Sequence, residues 1–329
     1  PYEENMYYDF VPMPERKPLK WPNGARLAVI VTFNLEYWDL TKDTDGPYYA
    51  GGPAILPDPL PGNVADIPNF TWREYGQRVG IWRLFDIAER AGIPVSCTMN
   101  AKMGLERPQA IKHCVDRGWE LVAHNYVQSD LLTNYYFDEE GERELVLETL
   151  KVYNDVVGKP ATGWLSSSLR GNPSTVEILA EQGLLYTTDY LNDDQPYLIH
   201  TDNGPIVSIP YTNEVNDFMI FMRRGNTTDE AFDLFKEQFD TLYAEGATSG
   251  RLMNLGLHPH VVGQPFRARC VREFLDYAKQ FPDVWWTTRE EIAKWYLKNH
   301  ESHIPSKKRR KGRTQSPANQ KPENRQKKA

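Results

Sequence analysis

Four apolar segments of the sequence end in side chains that can carry out acid–base chemistry. Glu36 follows the run LAVIVTF, His124 follows WELVA, and His258 closes RLMNLGLH. Arg170 closes a fourth segment, GWLSSSLR. Hydrolysis of an amide-like bond needs a base beside water, a donor for the developing oxyanion and an acid for the leaving nitrogen. Glu36 can be the base, while the two histidines and Arg170 can supply the donors and the acid.

Other polar or aromatic side chains lie at or near the ends of the predicted strands, and we expect them to bind substrate. They are Asn34, Asn125, Gln128, Trp164, Asp189 and His260. Each residue alone has an ordinary structural interpretation, such as a hydrogen-bonded buried histidine or a surface arginine. Polar groups at the ends of four predicted strands together favour a catalytic site.

Several other kinds of active site are excluded. The sequence has no G-x-S-x-G motif, so a serine hydrolase is not expected. None of its three cysteines follows one of these strands, which argues against a thiol nucleophile. It also has no glycine-rich phosphate-binding loop of either usual spacing.

Alternating apolar runs and helical patterns supply the elements that would position these residues. We expect strands at residues 27–33, 93–99, 119–124, 161–165, 185–188, 251–258 and 284–287. We expect helices at 75–91, 108–116, 139–156, 174–182, 229–244 and 288–297, the last with Thr288 as N-cap and Glu291 completing a capping box. This alternation predicts an α/β fold with a parallel sheet, closed as an irregular (β/α)7-type barrel in a single domain. Such folds place their chemistry at the carboxyl ends of the strands.

Composition and charge divide the chain into three parts. We expect an N-terminal extension at residues 1–20, a catalytic domain at 21–300 and a disordered basic tail at 301–329, rich in Lys and Arg. The net charge is −7, so the body in front of this tail is acidic, which argues against specific nucleic-acid binding. The glycine- and proline-rich segment 45–68 is expected to be a long loop that could cover the site.

Three widely spaced cysteines, no leader-like start and no long apolar run predict a cytoplasmic protein without a membrane span. We expect its partner to be a small-molecule substrate, and the protein to be a homo-oligomer.

The motifs resemble those of the polysaccharide deacetylase (NodB homology) superfamily. The resemblance covers about residues 21–297 and rests on VTFNLEYW, RGWELVAHN, TGWLSSSLRGNPST, NDDQPY and NLGLHPHVVGQPFR. The stretches REYGQRVGIWRLFDI and IPYTNEVND are more similar to the cofactor-independent allantoinase, or cyclic imide hydrolase, branch.

The resemblance implies roles for several residues. In the superfamily an Asp pair follows the first strand and H-x-x-x-H follows the third; here these positions offer Asn34 with Glu36, and His124 with Gln128. The resemblance further implies that His258 is the acid and that Arg170 orients the base. Because Gln128 is a poor zinc ligand, no metal is expected. If zinc is bound, its ligands would be Glu36, His124 and Gln128.

Three readings of the function follow. The leading one is an amidohydrolase-type enzyme that opens a C–N bond of a small cyclic ureide or imide without a cofactor. The second is a zinc-dependent deacetylase of polysaccharides or other carbohydrates. The third is a catalytically silent binding protein on the same scaffold, which the loss of the metal pattern at Asn34 and Gln128 keeps open.

Overall fold

A computed structural model describes residues 7–40 and 65–305 of the chain. Within these ranges a curled sheet of nine strands carries helices against its outer face. The strands are β1 (Leu27–Leu35), β2 (Ser96–Met99), β3 (Glu120–Ala123), β4 (Gly163–Trp164), β5 (Tyr186–Thr187), β6 (Tyr197–Thr201), β7 (Gly204–Ser208), β8 (Arg251–Leu257) and β9 (Val284–Trp286). The expected α/β fold, an irregular β/α barrel in a single domain, is confirmed.

The helices lie between the strands in the expected alternation. They are α1 (Ile67–Tyr75), α2 (Ile81–Ala91), α3 (Ala101–Glu106), α4 (Pro108–Asp116), α5 (Glu139–Val157), α6 (Thr175–Glu181), α7 (Thr228–Glu245), α8 (Ala268–Ala278) and α9 (Arg289–Asn299). A π-helical turn, Gly76–Gly80, joins α1 to α2, and a second covers Phe218–Arg223. The capping box of Thr288 and Glu291 is present at α9. No helix in the described ranges is long and apolar enough to cross a membrane.

The strand order is β6-β7-β5-β4-β3-β2-β1-β8, and β9 also pairs with β1. All pairs are parallel except β6 with β7, which form an antiparallel hairpin absent from our prediction. Its turn contains Asn203-Gly204, with Gly204 at φ 114°, so the dipeptide was an available hairpin signal. Val207 pairs with Tyr186 of β5, so the hairpin extends the sheet beyond β5.

Segments that flank this hairpin reach the free edge of β8. The Leu252 N–H donates to the Asp194 carbonyl at 2.8 Å, and the Gly256 N–H donates to the Val215 carbonyl at 3.3 Å. These bonds join the two ends of the sheet, although β6 and β8 do not pair along their length. The result is an irregular barrel with a seam between the hairpin and β8.

The inside of the barrel is partly polar. Arg289, at the start of α9, is fully buried and donates from Nη2 to Thr32 at 2.8 Å and to Asn254 at 2.9 Å. Its backbone N–H donates to Glu120 at 2.8 Å. Arg289 therefore connects β1, β3 and β8 from within the barrel.

Three expected boundaries differ from the structure or lie beyond it. The long loop was expected to reach residue 68, but Asp66 caps α1 and accepts from the Asn69 N–H, so the loop ends before the helix. The rest of that loop, residues 45–64, lies outside the described residues, as does the tail from 306 on. Residues just inside both predicted termini are packed: Tyr7 is buried, and His303 is buried against Tyr296.

Candidate active site

The carboxyl ends of β1, β3 and β8 bring three predicted catalytic residues together. β1 pairs in parallel with β8 up to Phe33 and Leu257, so Glu36 and His258 leave the sheet at the same edge. His124 follows β3, two strands from β1. All three side chains are buried. The argument from parallel strands thus predicts from the sequence that these three side chains lie close together.

Glu36 lies between the two histidines. Its Oε1 is 3.6 Å from His124 Nε2 and 3.6 Å from His258 Nε2, which is longer than a hydrogen bond. Glu36 Oε2 and His124 Nε2 have no hydrogen-bond partner among the described residues. Buried polar atoms are normally satisfied, so this gap fits a water molecule or a polar atom of a substrate.

His124 is oriented by its other ring nitrogen. Nδ1 lies 2.6 Å from the carbonyl oxygen of Leu165, which can only accept, so Nδ1 carries a proton. Nε2 therefore points toward Glu36. The Asn100 amide also donates to the His124 carbonyl, which holds the backbone at the end of β3.

His258 is held by Asp217, which the sequence analysis did not single out. Asp217 is fully buried and accepts from His258 Nδ1 and from the His258 backbone N–H, both at 2.7 Å. Burial alone would lower the pKa of His258, but the charges of Asp217 and Glu36 and the Asp217 hydrogen bond outweigh it and raise the pKa to about 9. His258 is therefore an imidazolium at neutral pH, with its Nε2–H near Glu36.

His260 differs from His258 although the two rings are only 5.9 Å apart. Burial, the positive charge of His258 and that of Arg73 hold the pKa of His260 well below its usual range, so it is neutral. Its ring stands edge-on to Trp38 at 5.2 Å and to Trp72 at 4.7 Å. Its Nε2 has no hydrogen-bond partner in the described part of the chain.

Arg170 does not reach this site, so its predicted catalytic role is corrected. The chain leaves β4 through a 3-10 turn at Ser167–Leu169, where Ser168 and Leu169 both have positive φ. This turn carries Arg170 to the surface, where it is exposed and makes no contact with Glu36 or the histidines in the described structure. The buried arginine near the site is Arg73 of α1, whose Cζ lies 4.6 Å from the ring centre of Trp38.

Three residues expected to bind substrate are engaged with the scaffold. The Asn34 amide donates to Tyr211 and to the Leu257 carbonyl, and its oxygen accepts from Thr98. Two further side chains are bonded within the loops and are fully buried, namely Asn125, which accepts from the Ser167 N–H, and Trp164, which donates to Ser166. These three side chains therefore support the residues around the site through their hydrogen bonds.

Asp189 and Gln128 lie on the β4 side of the mouth. Asp189 accepts from the Ser166 N–H at 2.6 Å and from its hydroxyl at 2.7 Å. Burial raises the pKa of Asp189, against the opposing effect of the Ser166 hydrogen bonds. Gln128 Oε1 accepts from the Ser167 hydroxyl at 3.0 Å. Both side chains brace the 166–168 loop over His124.

The donor set does not fit zinc. Glu36 and His124 converge, but Asn34 and Gln128, which stand at the other expected positions, offer neutral amides already used in hydrogen bonds. A catalytic zinc site takes three good protein ligands and an open position. Within residues 7–40 and 65–305, no group of three or more His, Cys, Asp and Glu side chains is arranged to hold a metal ion.

Sequence reasoning missed Asp217, Arg73 and Gln77. Gln77 donates from Nε2 to the Glu36 carbonyl at 2.8 Å and so positions the end of β1. Arg73 and Gln77 both lie in REYGQRVG, a stretch noted for its resemblance but given no role. Asp217 is the last residue of IPYTNEVND. A carboxylate directly before a helical segment was the signal in the sequence that could have identified it.

Comparison with known proteins gives a consistent result. No family model matches the chain. The crystal structure of a probable polysaccharide deacetylase from Pseudomonas aeruginosa PAO1 is 30% identical with a TM-score of 0.77, over 93% of this chain and 100% of that one. The structure of PuuE allantoinase is 30% identical with a TM-score of 0.76, over 93% and 99%. A protein of Schizosaccharomyces pombe, provisionally named a polysaccharide deacetylase, is 24% identical over 85% of this chain and 93% of its own.

Proposed function

The chain belongs to the polysaccharide deacetylase superfamily of hydrolases, and within it we propose that this protein opens a ring C–N bond of a small cyclic ureide or imide without a metal. The carrying observation is the convergence of Glu36, His124 and His258, with two buried acceptor atoms, Glu36 Oε2 and His124 Nε2, left unpartnered in the described structure. Two acceptors facing one gap suit a water molecule, which has two protons to donate.

The proposed reaction uses these groups in sequence. Glu36 takes one proton of the water while His124 Nε2 accepts a hydrogen bond from the other, so the water oxygen is aimed at the substrate carbonyl. The oxygen adds to the carbonyl carbon, and the His258 Nε2–H stabilises the developing oxyanion. The C–N bond then breaks, and the leaving nitrogen takes the proton of His258. Transfer of the Glu36 proton back to His258 restores the starting state.

The choice of a small ring over a polymer rests on enclosure. Glu36 is 5% exposed and His124 is 2% exposed, and residues of α1 and its π-helical turn line a small cavity with Glu36. A polymer deacetylase needs an open groove at the reacting bond. The 30% identity to a structure named as an allantoinase also supports this choice.

A zinc-dependent carbohydrate deacetylase is the second candidate, favoured by the names of the Pseudomonas and Schizosaccharomyces relatives. The decisive assay incubates the full-length protein with hydantoin, allantoin and succinimide in parallel with N-acetylated chitin oligomers. We expect ring opening and no release of acetate. Acetate release faster than ring opening would replace our proposal with the deacetylase.

The Glu36→Gln variant tests the catalytic base in the same assay. The amide keeps the shape but cannot accept the proton, so kcat for ring opening is expected to fall about a hundredfold or more. Glu106→Gln, on the exposed side of α3, is the matched control and should retain activity. Full activity in Glu36→Gln would remove Glu36 from the mechanism and indicate another base.

We propose a reducing, cytoplasmic setting on the basis of cysteine usage. All three cysteines are buried and none forms a disulfide, although the sulfur atoms of Cys97 and Cys114 are 3.7 Å apart. The proposal of a homo-oligomer rests on the frequency of such assemblies among enzymes.

A further inference from the structure

A small cavity lies beside Glu36 in the interior of the site. Glu36, Gln77 and His260 all line it. Its volume, about 10 Å³ for the centre of a water molecule, leaves room for one water and not for a substrate ring. His124 is not one of the described residues that line it, so this cavity differs from the gap between Glu36 and His124. A molecule in the cavity would therefore contact Glu36 from a second side.

His260 is held in place at the wall of this cavity. A Cβ at Gly76 would lie 2.5 Å from the His260 backbone nitrogen, so only glycine permits this approach of the π-helical turn. The imidazole ring stands edge-on to Trp38 and to Trp72, with the ring centres 5.2 Å and 4.7 Å away. Backbone and ring are both fixed, which gives the ring nitrogens a defined position.

Two buried acceptor atoms belong to residues that line the cavity. His260 is 2% exposed and Glu36 is 5% exposed, and neither His260 Nε2 nor Glu36 Oε2 has a hydrogen-bond partner in the described part of the chain. Burial and the positive charges of His258 and Arg73 hold the pKa of His260 well below its usual range, so the ring is neutral and has one acceptor nitrogen. With the proton on Nδ1, that acceptor is Nε2. Two acceptors cannot bond each other, but one water has a proton for each.

We propose that one buried water molecule bridges Glu36 and His260, and that His260 thereby positions the carboxylate of the proposed base. The water donates to Glu36 Oε2 and to His260 Nε2. Gln77 Nε2 donates one N–H to the Glu36 carbonyl at 2.8 Å, and its second N–H donates to the oxygen of the water. A buried water typically makes about three hydrogen bonds. This inference rests on the proposed function, since it concerns the group that acts as base there.

The bridge is important because the Glu36 carboxylate lacks a direct hydrogen bond. No residue in the ranges 7–40 and 65–305 donates one to it, and the Nε2 atoms of His124 and His258, both at 3.6 Å, are too distant. A bond from the water limits rotation of the carboxylate. A carboxylate oxygen accepts more than one hydrogen bond, so Oε2 stays available to the reacting water. His260 is therefore a positioning residue that acts on Glu36 and does not touch the substrate.

High-resolution crystal structures of the wild-type protein and of His260→Phe test the bridge without an assay of activity. Phenylalanine keeps an aromatic ring against Trp38 and Trp72 but has no acceptor atom. In the wild type we expect one ordered water within hydrogen-bond distance of both Glu36 and His260. In His260→Phe we expect that water to be lost and the Glu36 carboxylate to be rotated or disordered.

Kinetics of ring opening supply the second measurement. His260→Phe is expected to lower kcat about tenfold or more and to leave KM nearly unchanged, because the base is misplaced and no substrate contact is lost. His260→Gln, whose side-chain oxygen can accept from the water, should restore part of kcat. The matched control is His113→Phe, at a ring of α4 that stacks on Phe85, and it should keep the bridging water and the wild-type kcat.

Folding of each variant is established by circular dichroism. His260→Leu, which also lacks an acceptor and is smaller, serves if His260→Phe is not folded.

The outcomes separate this inference from the proposed function. A cavity without a water that contacts both side chains would overturn the inference, even if ring opening is observed. An unchanged kcat in folded His260→Phe would also overturn it, whether or not KM rises. If the wild-type protein opens no ring, the crystal structures alone decide: a bridging water, with a displaced Glu36 in His260→Phe, would support the inference while the proposed function is rejected.

Discussion

At the scale of single residues, the charge of His258 depends on Asp217. Asp217 and Glu36 raise the pKa of His258 to about 9 against the effect of burial, so the acid form predominates at neutral pH. We predict that kcat/KM for ring opening falls as the pH rises through about 9. In Asp217→Asn the stabilising charge is lost while burial remains, so this alkaline limb should move to lower pH.

The pH profile of the Asp217 variant is compared with that of Asp233→Asn, an exposed position on α7. The control should follow the wild-type profile. The raised pKa of His258 also affects the stability of the fold. The stabilisation by the ion pair of His258 with Asp217 is complete below the pKa that histidine has in the unfolded protein, and it is lost as the pH rises through about 9. An alkaline limb that stays in place in Asp217→Asn would show that His258 is not the titrating acid.

The amide side chains at the metal positions give a second residue-scale prediction. The Gln128 oxygen accepts from Ser167 and the Asn34 oxygen accepts from Thr98, so each is uncharged and already holds a hydrogen bond, which makes both poor zinc ligands. We predict that chelator treatment leaves ring-opening activity intact. Gln128→His should increase zinc binding, measured by metal analysis, without increasing turnover. Reversible loss of wild-type activity on chelation, restored by zinc or cobalt, would contradict the metal-free mechanism.

The position of the three proposed catalytic residues was predictable because it follows from one rule. A side chain directly after a buried parallel strand must lie at the carboxyl edge, so Glu36, His124 and His258 could be found without coordinates. The rule does not hold for Arg170, because β4 has only two residues and the turn that follows it contains residues with positive φ. Asp217 and Arg73 belong to helical segments. The register of the strands does not determine where these segments approach the site.

At the scale of elements, the π-helical turn between α1 and α2 sets the distance between helix and loop. We predict that Gly80→Ala lowers both stability and kcat/KM, because the added Cβ meets the Pro259 carbonyl and pushes Arg73 and Gln77 away from the site. The control is Gly92→Ala, where φ is 62° and no atom stands near the Cβ. It should lose about 1 kcal/mol of stability and retain kcat/KM. Equal kinetic effects in both variants would disprove the positional role of Gly80.

The elements themselves differ in how clearly the sequence encodes them. β1 is an uninterrupted apolar run, and α9 begins with a capping box, so both were predicted close to their observed bounds. The start of α1 was missed because Pro68 in its first turn was taken as part of a loop, although proline is common at that position of a helix. The β6–β7 hairpin was missed because it runs against the βα alternation that dominates the chain.

At the scale of the whole molecule, Arg289 holds distant strands together from inside the barrel. It is fully buried; its guanidinium donates to Thr32 and Asn254, and its backbone N–H donates to Glu120. We predict that Arg289→Met costs about 3–5 kcal/mol of unfolding free energy, since it removes the positive charge that offsets the buried Glu120 carboxylate, although the backbone bond to Glu120 remains. Thr288→Ala, which removes only the helix cap, should cost about 1 kcal/mol. Urea denaturation measures both, and similar losses would show that Arg289 is not a central support.

The curled α/β sheet was predictable from the count and spacing of its units, but the seam was not. Its closure depends on single backbone bonds from Asp194 and Val215, residues in segments without periodic pattern. The segment at residues 45–64 lies outside the described residues, so its expected role as a loop that covers the site stays a prediction.

The pairing of β1 has a consequence for synthesis of the chain on the ribosome. β1 is bonded along its whole length only when β2, β8 and β9 are all present, and Leu27 pairs with both Arg251 and Val284. All nine residues of β1 are buried in the folded protein. One edge of the strand therefore stays unpaired until nearly all of the barrel has been translated. Contacts so distant in sequence slow folding and leave hydrophobic surface exposed in the nascent chain. Chaperones that hold extended apolar segments are therefore expected to bind β1 during synthesis.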